Sequence, residues 1–466
     1  MVFSSTIFIF AFLPIVLLAY YILGKKVRNY VLLLASLFFY AWGGVEYLKI
    51  LIVSIIINYI FGILIDKLRD DIILKKVFLG IGVFLNLALL FYYKYYDFFI
   101  KNVNLTFNTD FPLKYIVLPI GISFFTFQGM SYIIDIYRKD GKVNKNPFSV
   151  ALYISFFPQL VAGPIVKYKT VDDQIRNRKE SIEYFSYGIN RFVIGLAKKV
   201  IIADVLAAIA DNIFTQYYSG IDTPTAWIGA ICYTFQIYYD FSGYSDMAIG
   251  LGYMFGFKFM ENFNYPYISK SITEFWRRWH ISLSTWFKEY LYIPLGGNRR
   301  GNVYLNLFIV FLVTGIWHGA DWSFVLWGLW HGLFILIERF IRNKKWYINI
   351  PNIIKHIITM LIVILGWVLF RADNLEQAVG FIKTMFGFNN VSALTFEYIY
   401  FINKKLIFWI VMASLGSMPF IVNKLKKYNG RKSFEILATI GISILFVISI
   451  IFVVNSTYSP FIYFQF

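Results

Sequence analysis

Long apolar runs alternate with short basic segments along the whole chain, and this pattern predicts a series of transmembrane helices. About 20 consecutive apolar residues in an α-helix cross the hydrocarbon core of a bilayer. We therefore predict an all-α polytopic membrane protein with about 11–12 transmembrane helices. The predicted spans are approximately Val2–Leu23, Tyr30–Gly43, Tyr47–Ile65, Val77–Tyr93, Tyr115–Ile136, Val200–Tyr217, Ala226–Phe255, Asn302–Trp317, Trp322–Ile337, Ile357–Phe370, Leu406–Val422 and Phe434–Val453.

Two segments interrupt this series of spans. Asp97–Pro112 carries only one lysine and is predicted to be an outer loop. Phe148–Pro164 is short, is broken by prolines and a glycine, and has basic residues on both sides. Non-helical backbone at membrane depth must be buried in protein or line a cavity. Phe148–Pro164 is therefore predicted to be a re-entrant segment.

The composition agrees with a chain that lies mostly in lipid. Hydrophobic residues make up 59% and charged residues 15%, whereas soluble domains have about 45–50% and about 25%. The net charge of +18 is explained by retention of Lys and Arg in cytoplasmic loops, not by binding of nucleic acid. The distribution of these residues predicts a multi-pass protein of the inner (cytoplasmic) membrane with both termini outside. Without an internal repeat or a soluble segment, we predict one domain over residues 1–466.

The segment Ser271–Ile293 is the first that carries candidate chemistry. Ser271 and Glu274 form a capping box, which predicts the start of a helix. Helical spacing places His280 on the same face as Trp276 and Trp279, directed towards protein. The charged residues of this region exclude a lipid-exposed span, so we predict an interfacial or cavity-lining segment. From this segment alone, a core histidine hydrogen-bonded to a neighbour is the favoured interpretation of His280.

A second histidine stands where two apolar runs meet. His318 is followed by Gly319 and Asp321, and an ionisable group at such a break indicates a functional site. Its ordinary pKa of about 6.5 suits a general base. The alternatives are a helix-turn histidine for His318 and a helix-bonding histidine for His331. His356 is predicted to be interfacial.

Other chemistries find little support in the sequence. The single Cys232 excludes an intramolecular disulfide and a cysteine-rich metal site. There is no HExxH motif, phosphate-binding glycine loop or nucleophile elbow, and no metal is predicted. The turn Pro294–Gly301 is rich in glycine and basic, so Arg299 or Arg300 is a candidate contact for a donor phosphate. A solvated cytoplasmic loop is the alternative.

Two long sequence blocks resemble the signatures of the membrane-bound O-acyltransferases. They are FWRRWHISLSTWFKEYLYIPLGGNR (Phe275–Arg299) and WHGADWSFVLWGLWHG (Trp317–Gly332). YIPLGGNR, FFPQLVAGPI (Phe156–Ile165) and YSPFIYFQF (Tyr458–Phe466) resemble the branch of alginate and peptidoglycan O-acetylation. The chain departs from the family pattern at Lys288-Glu289, where an Arg-Asp pair is common, and this change retains both charges.

The resemblance implies a fold and a set of site residues. The implied fold is a ring of transmembrane helices, with re-entrant and interfacial helices, around a thinned centre and a tunnel. His318 corresponds to the catalytic histidine and His280 to a second important histidine. The residues near these histidines that are candidates for lining a substrate tunnel are Trp276, Trp279, Trp317, Asp321 and His331.

The resemblance also implies a reaction and its participants. The chain is expected to be an O-acyltransferase, with acetyl as the expected acyl group. It would relay this group from a cytoplasmic thioester such as acetyl-CoA to an extracytoplasmic or cell-wall polysaccharide. No tightly bound cofactor is expected, whereas membrane lipid and a separate extracytoplasmic acetyltransferase are expected partners. The alternatives are D-alanyl transfer to teichoic acid from a carrier protein, a transporter of polysaccharide or lipid-linked sugar, and a non-catalytic assembly subunit.

Overall fold

Helices make up all the regular secondary structure that the computed structural model describes, which covers residues 1–68, 70–161, 163–388, 398–428 and 430–455. Two π-helical turns, Lys198–Ala203 and Lys288–Tyr292, directly continue the helices that end at Ala197 and Phe287. The helices are α1 Phe8–Ile22, α2 Arg28–Ala41, α3 Val45–Lys67, α4 Ile72–Phe107, α5 Ile122–Arg138, α6 Pro147–Ser155, α7 Phe157–Leu160, α8 Tyr168–Asn177, α9 Ile182–Ala197, α10 Asp204–Gln216, α11 Thr223–Met254, α12 Ile272–Arg278, α13 Ile281–Phe287, α14 Val303–His318, α15 Trp322–Ile341, α16 Lys345–Ile348, α17 Asn352–Arg371, α18 Leu375–Met385, α19 Lys404–Gly416, α20 Phe420–Leu425 and α21 Lys432–Asn455.

The lengths and hydropathies of these helices confirm an all-α polytopic membrane protein. Within the described residues, five helices (α3, α4, α15, α17 and α21) are long and apolar enough to cross a membrane. The pair α19 and α20, bent by 54°, makes a sixth candidate span. Several predicted spans correspond to apolar helices of 10–17 residues (α1, α2 and α14), which are shorter than a full crossing. The predicted ring and tunnel stay predictions.

The chain forms two compact units. Unit 1 comprises Met1–Phe192 and Tyr244–Met260, and unit 2 comprises Val193–Gly243 and Glu261–Phe466. All the candidate site residues belong to unit 2. The prediction of one domain over residues 1–466 stays a prediction.

Glycines and buried amides hold the helices of unit 1 closely together. A Cβ added at Gly129 of α5 would lie 2.2 Å from the Asn58 amide of α3, so only glycine fits there. Asn58 and Asn86 of α4 exchange two side-chain hydrogen bonds of 3.0 Å. Small residues and paired amides are the usual means of packing helices in lipid, where the hydrophobic effect offers little driving force.

The predicted re-entrant segment is not a full span. Its helices, α6 and α7, have nine and four residues, and most of their side chains are buried. The buried Tyr153 hydroxyl donates to the Val166 carbonyl at 2.8 Å, which ties the segment to the chain that follows it. The backbone is thus enclosed by protein, as the sequence predicted.

Two predicted boundaries in unit 1 are wrong. The predicted outer loop Asp97–Pro112 is largely helical, because α4 continues to Phe107. The predicted span from Tyr115 begins only at Ile122, since Gly121 adopts a left-handed φ of 77° and ends the non-helical stretch before it. The Asp97 carboxylate accepts the backbone N–H groups of Lys114 and Ile116, which holds that non-helical stretch against α4.

The hairpin of α14 and α15 is the element of unit 2 that positions His318. A Cβ added at Gly315 would lie 2.5 Å from the Phe324 carbonyl oxygen, and one at Gly328 would lie 2.4 Å from the Phe311 carbonyl oxygen. The two backbones therefore meet at a glycine pair. Close approach through small residues is typical of membrane helix pairs. Gly315 precedes His318 by three residues, so this contact fixes the helix end that carries the histidine.

Substitution of Gly315 by Ala should destabilise the protein, because the added methyl group meets the rigid backbone of α15. Overpacking of this kind costs about 1–3 kcal/mol, and we expect a lower melting temperature in detergent. Gly441→Ala is the matched control, since no atom lies within 4 Å of a Cβ at this helical position. An equal melting temperature for both variants would contradict the proposed glycine contact.

Candidate active site

A helix break places His280 inside unit 2. The Ser271 hydroxyl caps α12 by accepting the Glu274 N–H at 3.0 Å, as the capping box predicted. The helical spacing that the sequence analysis applied across His280 is wrong, because α12 ends at Arg278 and His280 has a left-handed φ of 43°. A non-glycine residue in this region costs about 1–3 kcal/mol. The burial of His280 with Trp276 and Trp279 is nevertheless confirmed.

Asn262 holds this break in place. Its backbone carbonyl accepts the Ile281 N–H at 2.9 Å. Its side-chain oxygen accepts both the backbone N–H of Ser282 at 3.1 Å and the Ser282 hydroxyl at 2.8 Å. The same oxygen lies 3.1 Å from Nδ1 of His280. Four contacts to one fully buried asparagine offset the cost of the left-handed backbone.

The contacts of Asn262 also decide where the imidazole proton sits. The Ser282 N–H can only donate, so the Asn262 atom that faces it is the carbonyl oxygen. His280 Nδ1 must therefore carry a proton to hydrogen-bond this oxygen. His280 lies outside the predicted spans, and burial lowers its pKa to about 3. The imidazole is thus neutral, with an unprotonated Nε2 that has no protein partner within the described chain.

His318 lies at the C-terminal end of α14 and is buried. The next residue, Gly319, is extended and ends the helix. The His318 ring makes edge contacts with Trp327 at 4.8 Å and with Phe370 at 5.2 Å between centroids. These two rings fix the plane of the imidazole. The break between apolar runs that the sequence indicated is therefore a real helix terminus.

His331 is buried among aromatic rings in the middle of α15. Its ring lies 5.3 Å from that of Trp276 and 5.1 Å from that of Trp327. Neither of its nitrogens has a hydrogen-bond partner in the described parts of the chain. The alternative of a histidine that bonds another helix is thus not what the structure shows. Gly366 of α17 leaves room for the ring, since an added Cβ would lie 2.8 Å from Nε2.

One continuous aromatic cluster brings the three histidines together. The Trp317 ring lies 6.4 Å from His280 and 4.9 Å from His318. Trp327 lies between His318 and His331. The indole N–H groups of Trp276 and Trp327 are buried and have no partner among the described residues. Unpaired buried donors and acceptors cost free energy, so the cluster is suited to a polar occupant.

The remaining predicted tunnel residues differ in their positions. Trp276 and Trp317 belong to this cluster. Trp279 packs on Trp367 at 4.7 Å and is 3% exposed, which makes it part of the core. The Asp321 carboxylate accepts the Ser323 N–H at 2.8 Å and caps α15. A helix cap is a structural use of this carboxylate, and the sequence analysis did not identify it.

Arg299 and Arg300 lie in an exposed turn. Their backbone N–H groups donate to the Gly296 carbonyl, and both side chains are exposed. Gly296 and Gly297 have φ values of 111° and 56°, which explains the glycine pair. The structure therefore places these arginines in a solvated loop, apart from the aromatic cluster. His356 is half-buried, and its Nδ1 lies 2.9 Å from the Ser269 carbonyl oxygen.

Sequence reasoning missed four residues of the site. Asn262 precedes His280 by 18 residues, and no local spacing connects them. Trp367 and Phe370 belong to α17 and reach the cluster only through tertiary packing. Trp327 was identifiable, since it stands four residues before His331 on the same helix and therefore shares its face.

Comparisons of the sequence with known proteins identify the family and the relatives that this chain resembles. The sequence profile of the membrane-bound O-acyltransferase (MBOAT) family matches residues 142–370, which include both histidine blocks. The protein named “Probable alginate O-acetylase AlgI” in Pseudomonas putida is 43% identical over 496 residues, with all of each chain covered. The peptidoglycan O-acetyltransferase of Helicobacter pylori is 38% identical, covering 100% of this chain and 98% of its own.

A more distant relative matches only part of the chain. The teichoic acid D-alanyltransferase of Bacillus subtilis is 32% identical over 255 residues. The match covers 50% of this chain and 63% of the relative. The C-terminal motif Tyr458–Phe466 lies outside the described residues, so its structural setting adds nothing to these comparisons.

Proposed function

Because the chain belongs to the membrane-bound O-acyltransferase family and is an O-acyltransferase, we propose that it acetylates hydroxyl groups of an extracytoplasmic or cell-wall polysaccharide. The observation that carries this proposal is full-length similarity to proteins named for alginate and peptidoglycan O-acetylation. The D-alanyltransferase alternative has weaker support, because that relative matches half of the chain. Membership in this enzyme family also favours an acyltransferase over the alternatives of a transporter and a non-catalytic assembly subunit.

His318 is the proposed general base. A ring nitrogen of His318 takes the proton of the acceptor hydroxyl while its oxygen attacks the thioester carbonyl. A new C–O bond forms, the C–S bond breaks, and the departing sulfur recovers the proton from the imidazolium. General base catalysis of this kind typically contributes about 10²–10⁴-fold in rate. The aromatic rings around His318 support this role, since they exclude water that would hydrolyse the thioester.

His280 is the proposed positioning group for the acceptor. Its Nε2 carries a lone pair, because Nδ1 bears the proton that Asn262 accepts. A neutral Nε2 accepts a hydrogen bond from a hydroxyl, but it cannot donate one to an oxyanion. The geometry thus favours orientation of the acceptor over stabilisation of the oxyanion by this residue. The unpaired indole N–H of Trp327, on a ring that touches His318, is the better candidate donor for the oxyanion.

The donor and the partner complete the proposal. We propose a cytoplasmic thioester, such as acetyl-CoA, as the donor, with the acyl group relayed across the inner membrane. Arg299 and Arg300 are exposed cations without acidic partners within the described residues, which supports a weak contact with a donor phosphate. A separate extracytoplasmic acetyltransferase is the proposed partner that completes transfer to the polymer.

The acetyl content of the extracellular polymers tests this function. Deletion of the gene should remove alkali-labile acetyl esters from one polysaccharide fraction, and the intact gene should restore them. Purified protein in vesicles should release free CoA from acetyl-CoA when the acceptor is present. Loss of D-alanyl esters with unchanged acetyl esters would instead support the teichoic acid alternative.

A further inference from the structure

An apolar cavity of about 260 Å³ lies between the segment 272–292 and the helices α14 and α15. Leu283, Phe287, Val310 and Phe311 are among the side chains that form its apolar wall. All its lining residues belong to unit 2. The cavity is separate from the ring contacts of His318, although Trp276 lines the cavity and also contacts His331.

Two exposed cations, Arg277 and Lys288, also line the cavity. Neither has a salt bridge with an acid among the described residues. The nearby acids are engaged elsewhere: Glu274 pairs with Arg278 at 2.9 Å, and Glu338 accepts the Thr273 N–H at 3.1 Å. The cavity therefore combines an apolar interior with a net positive rim.

Three hydroxyl groups of the lining are already satisfied within the protein, whereas the indole N–H of Trp276 has no partner among the described residues. The Ser284 hydroxyl donates to the Trp276 carbonyl, and the Thr314 hydroxyl donates to the Val310 carbonyl. The Tyr292 hydroxyl donates to the Asn298 side chain at 2.9 Å. The pantetheine arm of a CoA thioester has two amides, and this single indole donor would leave most of their polar groups unpaired, which is costly. A hydrocarbon chain has no such requirement.

We propose that this cavity binds an anionic phospholipid, with part of one acyl chain inside and the phosphate between Arg277 and Lys288. Cations near a membrane surface attract acidic lipid headgroups, and guanidinium and ammonium groups form strong charge-assisted hydrogen bonds with phosphate. The bound chain would fill a void beside Thr314, which lies one helical turn before His318. The lipid would thus support the helix that carries the catalytic histidine.

Lipid retention by purified full-length protein tests the proposal. Native mass spectrometry should show phosphatidylglycerol bound to the wild type in preference to phosphatidylcholine. In the double variant R277Q/K288Q, retention of phosphatidylglycerol should fall by about 10- to 30-fold. The variant K344Q/K345Q is the matched control, because it removes two exposed cations that do not line the cavity, and it should retain lipid as the wild type does.

A second variant addresses the interior of the cavity. Val310→Phe should reduce retention of phosphatidylglycerol while both rim cations remain, and it should abolish the rise in melting temperature that this lipid gives the wild type. If the double variant fails to fold, Lys288→Gln alone should also reduce the retention of phosphatidylglycerol, by a smaller factor. Equal retention of both lipids by the wild type, or full retention in R277Q/K288Q, would overturn the proposal. Stoichiometric displacement of the lipid by acetyl-CoA would instead assign the cavity to the donor.

Discussion

Replacement of His318 by Gln should reduce acetyl transfer by about 10²–10⁴-fold, with the protein present in the membrane at the wild-type level. The amide of glutamine is close in size to imidazole but does not accept a proton at neutral pH. The ring contacts with Trp327 and Phe370 constrain the side chain at this position, so a change of basicity is the main consequence. Release of CoA from radiolabelled acetyl-CoA and polymer acetyl content both measure this effect.

The same substitution at another histidine provides the control for His318. His356→Gln makes an identical chemical change at a half-buried residue bonded to a backbone carbonyl, and it should retain activity. Wild-type acetylation in His318→Gln would remove His318 from the catalytic role. Equal losses in both variants would indicate a general effect on folding instead.

Replacement of His280 by Ala should lower acetyl transfer by about 100-fold, because the acceptor hydroxyl loses the group that orients it. Asn262→Asp tests the protonation state that this role requires. A carboxylate at position 262 would stabilise the imidazolium and raise the pKa of His280 from about 3 towards neutrality. Below the raised pKa, Nε2 carries a proton and no longer accepts a hydrogen bond. Activity of this variant should therefore fall as the pH decreases from 8 to 6.

The wild type and a second Asn-to-Asp change are the controls for this pH profile. His280 of the wild type stays neutral through this range, so it contributes no pH dependence. Asn302→Asp places a carboxylate at the exposed N-cap of α14, where Asp and Asn cap equally well. Its profile should match that of the wild type. A profile of Asn262→Asp that coincides with the wild-type profile would contradict the assigned proton position.

The helical break at His280 shows the limit of pattern reasoning in this protein. Helical spacing placed His280 with Trp276 and Trp279 on one face, and all three are buried. Helical spacing does not by itself explain this burial, because the chain turns sharply at His280 and a new helix begins there. No glycine or proline marks this turn in the sequence. Asn262, distant in the sequence, supplies the hydrogen bonds that hold it.

Helix lengths show a second limit. Apolar runs identified most helices, yet several of them are shorter than a full crossing. In lipid, hydrophobicity alone does not distinguish a spanning helix from one enclosed by neighbouring helices. The non-helical stretch before α5 depends on the Asp97 carboxylate, which accepts two backbone N–H groups from it. This long-range contact has no signature in the hydropathy pattern.

The sequence by itself determined that the chain is a helical membrane protein, that it resembles the O-acyltransferases, and that His280 and His318 are its notable histidines. Composition and motif chemistry are local properties, so they can be read without coordinates. Only the tertiary structure decided that Asn262 sets the proton on His280, that Trp327 lies between His318 and His331, and that Asp321 caps a helix. These roles depend on distances between residues far apart in the chain, which helix packing alone establishes.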